Sequence, residues 1–206
     1  MDFDARAREW DKNPLTIERT AVVAAAIRQA VTLEPTWHAL EYGCGTGALS
    51  FALLPDLGRV TLIDTSAGML TVLREKIVAA GVTNMQVVQR DLVNEPNLGE
   101  HFDLIYSSMA LHHVHDTRKI LGVFHDLLKP GGRLAIVDLD TEDGSFHDRG
   151  GFDGHCGFER AALGALCEEA GFVDVRFVTA HTMVKESAGV KREYPVFLMT
   201  ARRERR

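Results

Sequence analysis

Cysteine is scarce in this chain: Cys44, Cys156 and Cys167 are the three in 206 residues, an odd number with no Cys-x-x-Cys pair. Such a set excludes a disulfide framework and fits a reducing compartment. No apolar run approaches the roughly 18 residues that a membrane span needs. The opening Met-Asp-Phe-Asp-Ala-Arg contains no apolar signal core, so the expectation is a cytoplasmic protein with no membrane partner. Positive charge is not in surplus, with 23 Lys and Arg against 29 Asp and Glu. The net charge of −6 argues against nucleic acid or an anionic membrane as the main partner. The basic tail at residues 202–206 reads as a solvated terminus.

Several local signatures are missing as well. No Gly-Lys-Ser/Thr follows the glycine loop, which excludes a P-loop. Nine histidines are present, with His112, His113 and His115 in one group and His147, His155 and Cys156 in another, but none has His-Glu-x-x-His spacing. The expectation from spacing is therefore no metal. Asp138, Asp140, Glu142 and Asp143 resemble a calcium loop only in composition. Gly144 stands at the seventh position rather than the sixth, and Arg149 stands where a twelfth-position Glu is required.

What is present is a regular alternation in a soluble-type composition, 46% hydrophobic and 25% charged. Residues 1–13 are polar and carry little pattern apart from Phe3 and Trp10. From Pro14, apolar residues recur at helical steps through Ala30, and Pro35 stops the run. Strands are then expected at 37–42, 59–63, 85–88, 102–106 and 133–139. Helices are expected at 48–54, from the Thr65-Ser66 cap to Gly81, and from Asp116 to the Lys129-Pro130-Gly131-Gly132 break. Residues 140–157 read as a loop. A helix at 159–170 and two strands at 172–179 and 194–201 follow, joined by a glycine-containing loop, with Pro195 placed at the start of the last strand. Strands alternating with helices imply parallel crossovers and a doubly wound, mostly parallel seven-stranded α/β sheet with helices on both faces and a C-terminal antiparallel strand. The length suits a single domain over residues 1–206.

The most informative stretch is residues 39–47, Ala-Leu-Glu-Tyr-Gly-Cys-Gly-Thr-Gly, between the first strand and a helix. Glycine at every second position is costly unless the backbone turns sharply or approaches a ligand closely. Read as Gly-x-Gly-x-x-Ala, with Asp64 lying 21 residues beyond Gly43, the loop fits a dinucleotide fingerprint and an NAD(P)-dependent oxidoreductase. Read as Gly-x-Gly-x-Gly with Glu41 two residues ahead, it fits a sulfonium-cofactor loop. The loop alone is compatible with both.

Downstream residues separate the two. The segments 40–47, Leu62-Ile63-Asp64-Thr65-Ser66, Asp91-Leu92, Phe102-Asp103-Leu104-Ile105-Tyr106-Ser107 through Leu111-His112-His113, and Leu127-Leu128-Lys129-Pro130-Gly131-Gly132 follow in one order. In that order the chain resembles the class I S-adenosylmethionine-dependent methyltransferases, closely over residues 37–140. The resemblance implies a Rossmann-like methyltransferase fold, S-adenosylmethionine as cofactor and S-adenosylhomocysteine as product. Gly43, Cys44 and Gly45 would let the cofactor approach the backbone, with Glu41 facing its polar portion. Asp64 would accept both ribose hydroxyls, with Thr65 beside it. Met69 would form a wall of the adenine slot, Asp91 would take the adenine amino group and the backbone of Leu92 a ring nitrogen. Ser107 would end its strand beneath the cofactor. Residues 1–34 would form a helical cap in which Trp10 covers the cofactor and Arg19 meets its carboxylate.

Residues 140–157 would form a loop on the substrate side. His112, His113 and His155 lie in loops at the carboxyl edge of the sheet, where ligands of such folds bind, and are candidates for proton transfer. No Asn-Pro-Pro-Tyr-like segment follows the fourth strand, where Ser107-Ser108-Met109-Ala110 stands. This favours a small-molecule acceptor. A non-catalytic S-adenosylmethionine-binding regulatory protein would carry the same residues.

Overall fold

The computed structural model describes residues 2–147, 152–187 and 190–205. It comprises α1 (Phe3–Trp10), α2 (Pro14–Ala30), β1 (His38–Tyr42), α3 (Ala48–Leu53), β2 (Arg59–Asp64), α4 (Ala67–Ala79), β3 (Met85–Gln89), β4 (Phe102–Ser108), α5 (Thr117–Leu127), β5 (Leu128–Leu139), α6 (Arg160–Glu169), β6 (Phe172–Ser187) and β7 (Val190–Arg203). The strands form one seven-stranded sheet in the order β3-β2-β1-β4-β5-β7-β6. The first five run parallel, while β7 lies antiparallel to both β5 and β6. The doubly wound α/β architecture expected from the alternation is the one observed.

Two apolar layers sandwich this sheet, and the strands feed them alternately. Ala39, Leu104, Tyr106, Ala135 and Val137 point into the layer shared with α2, α3 and α4. Leu40, Ile105, Leu134 and Ile136 point into the layer shared with α5 and α6. That period of two is what a sheet buried on both faces requires. Helix starts follow their caps: Asn13 accepts from the Leu15 amide at 3.0 Å, Ser66 from Met69 at 3.1 Å and Asp116 from Lys119 at 2.9 Å. Among the described residues, no helix is long and apolar enough to cross a membrane.

Three expectations need correction. Residues 3–10, read as patternless, form α1, capped by Asp2 accepting from the Ala5 amide at 3.1 Å. Its tertiary partner is α4, to which charged side chains tie it, and its apolar face is limited to Phe3, Ala7 and Trp10. The Lys129–Gly132 break lies inside β5 as an outward bulge, because the register jumps from Phe102–Leu128 to Leu104–Arg133 and Gly131 takes φ 82°. The loop between the last two strands is instead a long hairpin, with β6 and β7 paired from Phe172–Arg203 out to Ser187–Val190. Pro195 therefore lies within β7, opposite Thr182, rather than at its start. It is tolerated because β5 pairs with β7 only as far as Val196, so no ladder bond on that side needs a Pro195 N–H.

The order of the strands reverses between β1 and β4, since β1 leads outward to β2 and β3 while β4 leads to β5. Ligands of such sheets sit in the crevice beyond the carboxyl ends of the strands at this switch point, and the glycine loop after β1 opens onto it.

Candidate functional site

The loop after β1 is built to leave room. Gly43, Gly45 and Gly47 all have positive φ, at 66°, 52° and 76°. A Cβ on Gly43 would stand 2.3 Å from the Cβ of Ala110, so the turn fits beneath the β4 loop only as glycine. Beside it lies a cavity of about 440 Å³ that reaches from α1 and α2 across the glycine loop to Asp91 and His113. Asp64, at the end of β2, accepts from the Gly45 amide at 2.8 Å through Oδ2 and from the Ser66 amide at 2.9 Å through Oδ1. These two bonds lock its carboxylate at the cavity wall, and each oxygen keeps a further lone pair for a ligand hydroxyl. Asp91 is held similarly, by the Val93 amide at 2.9 Å and the Asn94 side chain at 2.6 Å.

Glu41 lies at the floor and is almost wholly buried. It accepts from Ser50 Oγ, which in turn meets the Tyr106 hydroxyl at 2.5 Å. Burial pushes its carboxyl up to about 8. Cys44 is also buried, and burial raises its thiol, so it is an inert wall rather than a nucleophile.

The N-terminal helices form the roof. Asp4 accepts from Ser66 Oγ and from the Gly68 amide at 2.9 Å. Arg8 pairs with Glu75 at 3.0 Å. Asp11 takes the Thr46 hydroxyl at 2.6 Å and Lys76 Nζ at 2.8 Å. Thus strapped to α4 and the glycine loop, α1 places Phe3 and Trp10 over the cavity, their rings 5.9 Å apart and edge-on. Arg19, on α2, also lines the cavity, and among the described residues no hydrogen bond or ion pair meets its guanidinium. Burial lowers its pKa, while the charge of Asp138 opposes that shift.

Histidines gather at the other end. His112 is buried, and its Nδ1 meets Asp138 Oδ1 at 2.6 Å while its amide donates to Oδ2 at 3.2 Å. The His113 ring centroid lies 4.2 Å from that of His112, 5.6 Å from that of His147 and 5.2 Å from that of Phe3. His147 stacks on Phe152 at 3.7 Å. Desolvation pulls His113 down to about 3 and His147 to about 4, and the neighbouring imidazoles add to both shifts.

The segment carrying His147 is clasped by the hairpin. Lys185 Nζ lies 3.8 Å above the Phe146 ring and donates to the Phe146 carbonyl at 2.7 Å, and the Tyr194 hydroxyl meets Ser145 Oγ at 2.8 Å.

Comparison with known proteins falls on this frame. A methyltransferase domain model matches residues 39–132, from β1 to the Lys129–Gly132 bulge. Over that span the chain is similar to the class I S-adenosylmethionine-dependent methyltransferases. It is 36% identical over 106 residues to the ubiquinone/menaquinone biosynthesis C-methyltransferase UbiE of Psychromonas ingrahamii, covering 50% of this chain and 42% of that protein. It is 32% identical over 104 residues to a demethylmenaquinone methyltransferase of Listeria monocytogenes, covering 49% and 44%. The match thus spans less than half the length of these relatives. Among solved structures, the N-methyltransferase NodS of Bradyrhizobium japonicum, crystallised with S-adenosyl-L-homocysteine, superposes at a TM-score of 0.70 with 19% identity, covering 98% of this chain and 99% of that one.

Within this methyltransferase fold, Trp10, Arg19, Glu41, Gly43, Cys44, Gly45, Asp64, Thr65, Met69 and Asp91 all line the one cavity. Leu92 and Ser107 do not. The Leu92 side chain is packed in the core under α5, and Ser107 is buried with its hydroxyl bonded to the Tyr42 carbonyl at 2.9 Å. The strand turns one residue later than expected, so Ser108 reaches the cavity in its place.

Of the three histidines proposed for proton transfer, only His113 lines the cavity, and a group at about 3 is a poor proton acceptor near neutrality. His112 stands behind it against Asp138. His155 is a structural pin: its Nε2 lies 3.0 Å from the Val114 carbonyl, and its amide donates to the His112 carbonyl at 2.8 Å.

The sequence reading missed Phe3, Thr16, Thr20 and Met109, which also line the cavity. Phe3 and Trp10 are seven residues apart, one helical face, and that spacing was the available signal. Met109 carries a positive φ of 56° at the cavity edge, which no residue pattern announces. Spacing also gave no reason to group His147 with His112 and His113, because the fold brings them together from separate loops.

Proposed function

We propose that the protein binds S-adenosylmethionine in the cavity beside the glycine loop and transfers its methyl group to a small-molecule acceptor held at the histidine end. The observation that carries this reading is the pairing of polar anchors across one cavity. The Asp64 carboxylate is fixed at the end of β2, while the unpartnered Arg19 guanidinium faces the same space from α2. A ribose and a carboxylate on one molecule answer both. Met69 and Asp91 would bound the adenine, with Thr65 beside the ribose and Glu41 facing the amino-acid portion. Leu92 would contribute its backbone. In this reading residues 1–206 act as one domain, with residues 1–34 as its cap and residues 140–157 as the substrate-side loop.

Methyl transfer is an in-line displacement. The acceptor attacks the sulfonium methyl carbon, the carbon–sulfur bond breaks, and its electron pair stays on sulfur as the thioether. The leaving group is already good, so catalysis rests on holding the two reactants in line in a site without bulk water. Phe3 and Trp10 from above and Met109 and Ala110 from the β4 loop supply apolar walls for that purpose.

Calorimetric titration with S-adenosylmethionine, S-adenosylhomocysteine and NADH tests the cofactor. Both sulfur compounds should bind and NADH should not; the reverse pattern would sink the reading. Transfer of labelled methyl from S-adenosylmethionine to a panel of small metabolites then tests the reaction. A protein that binds the cofactor and methylates nothing across a broad panel would instead be a regulatory binder.

A further inference from the structure

We propose that His112, His113 and His147 form a binding site for a divalent transition-metal ion of the zinc class, whose open coordination position takes the hydroxyl or thiol of the methyl acceptor. One ring nitrogen from each of the three lies within 4.8 Å of the others. Imidazole is the ligand type that suits zinc, copper, iron and nickel, and three protein ligands with a free fourth position is the pattern of a reactive rather than a structural zinc site.

Two further observations point the same way. First, His147 Nε2 is buried and, among the described residues, has no hydrogen-bond partner. A buried ring nitrogen left unmatched is costly unless a ligand satisfies it. Second, the orientation of His112 is fixed from behind. Its Nδ1 bonds to the buried Asp138 carboxylate at 2.6 Å, and Asp138 is itself held by the amides of His112 and Leu139 at 3.2 and 2.8 Å. This carboxylate–imidazole arrangement puts the proton on Nδ1 and leaves Nε2 as a lone pair, as in metal sites whose ligands are oriented by outer partners. His147 is held by its stack on Phe152. Metal–nitrogen distances in such sites are about 2.0–2.1 Å, and the 4.8 Å upper bound on the nitrogen separations is of the scale three ligands around one ion need.

His113 belongs at once to the triad and to the wall of the cofactor cavity, so a metal there faces the reaction space. Coordination of an acceptor hydroxyl or thiol lowers its pKa, and the proton leaves to water. The bound oxyanion or thiolate then attacks the sulfonium methyl carbon, giving the methyl ether or thioether and S-adenosylhomocysteine. This inference rests on the proposed methyl transfer only for that last step.

The test uses full-length protein stripped of metal by chelation and dialysed. Titration with Zn²⁺ and with Co²⁺ should show one site per chain, and the cobalt form should show visible bands of tetrahedral geometry. His147→Ala and His113→Ala should each weaken metal binding at least about tenfold, and Asp138→Asn about tenfold. The exposed His101→Ala should leave binding unchanged. Addition of 2-mercaptoethanol to the cobalt form should produce a thiolate-to-metal band. Absence of one-site binding, or binding indifferent to His113→Ala and His147→Ala in variants that still melt cooperatively, overturns the site. A cobalt spectrum unmoved by the thiol overturns its role toward the acceptor. S-adenosylmethionine binding to the stripped protein is measured alongside. If it persists while no metal binds, the metal site fails and the cofactor reading stands.

Discussion

The two ends of the cavity are made in different ways. The cofactor end is assembled largely from contiguous stretches, each placed by one strand or helix terminus: Gly43 to Gly47 after β1, Asp64 to Ser66 after β2 and Asp91 after β3. Its atoms are fixed by backbone amides at neighbouring strand ends, such as those of Gly45 and Ser66 on Asp64. The histidine end is a meeting of distant segments. His112 and His113 follow β4, His147 arrives after β5, and the β6–β7 hairpin clamps Phe146 from the far side. A site of the first kind tolerates change elsewhere in the chain, whereas one of the second kind depends on packing remote from its own residues.

The largest effect should come from the buried acid beneath the cofactor end. Glu41 is raised to about 8 from an ordinary carboxyl value of 4.5, so the folded, cofactor-free protein holds a proton that the unfolded chain releases. Its contribution is fully present below the unfolded value and is lost as pH rises through the folded one. Stability should therefore fall between about pH 5 and pH 8, by an amount on the order of a few kcal/mol. Denaturant unfolding across that range should show the slope in the wild type and its loss in Glu41→Gln. An unchanged slope would mean that Glu41 is not the group responsible.

Gly43→Ala comes next. The added methyl meets Ala110 at 2.3 Å and forces an L-residue into positive φ, so cofactor affinity measured by calorimetry should drop about a hundredfold, the equivalent of roughly 3 kcal/mol. Asp64→Ala should weaken the cofactor at least about tenfold through loss of charge-assisted hydrogen bonds. A folded variant with wild-type affinity would break the assignment of this end.

Phe146→Ala probes the contrast directly. It should leave cofactor affinity within about threefold while hydrogen exchange over residues 140–147 speeds up at least tenfold, because the ring's contacts with Lys185 and Tyr194 are lost. Equal damage to cofactor binding would show that the two ends are one cooperative unit. The smallest effect belongs to Arg8→Ala, whose pair with Glu75 is largely exposed; thermal unfolding should register no more than about 0.5 kcal/mol.

The same contrast explains what the sequence disclosed. The parallel sheet was legible because strands buried on both faces read as short apolar runs and their helices carry capping residues such as Ser66 and Asp116. The cofactor end was legible because glycine spacing and strand-end acids are local facts. α1 was not, since its apolar face is only Phe3, Ala7 and Trp10 among charged residues, and contacts from Asp4, Arg8 and Asp11 fasten it. The hairpin's length escaped because its outer half exposes Val184 and Val190 and carries Lys185, Glu186, Lys191 and Arg192, a composition that reads as loop. His147 escaped as a neighbour of His112 because only tertiary folding relates them, and His155 drew attention for a histidine content that the structure spends on pinning a carbonyl.

The fastening of α1 bears on turnover. Its anchors are the carboxylates of Asp4 and Asp11, gripping donors on α4 and on the glycine loop, while Phe3 and Trp10 lie between them above the cavity. If the proposed cofactor passes by that side, α1 has to lift, and both carboxylate clasps resist its lifting. Replacement of spent product by fresh donor then becomes a gated event, paced by a short helix lifting from its neighbour, and salt that weakens exposed carboxylate contacts should quicken it.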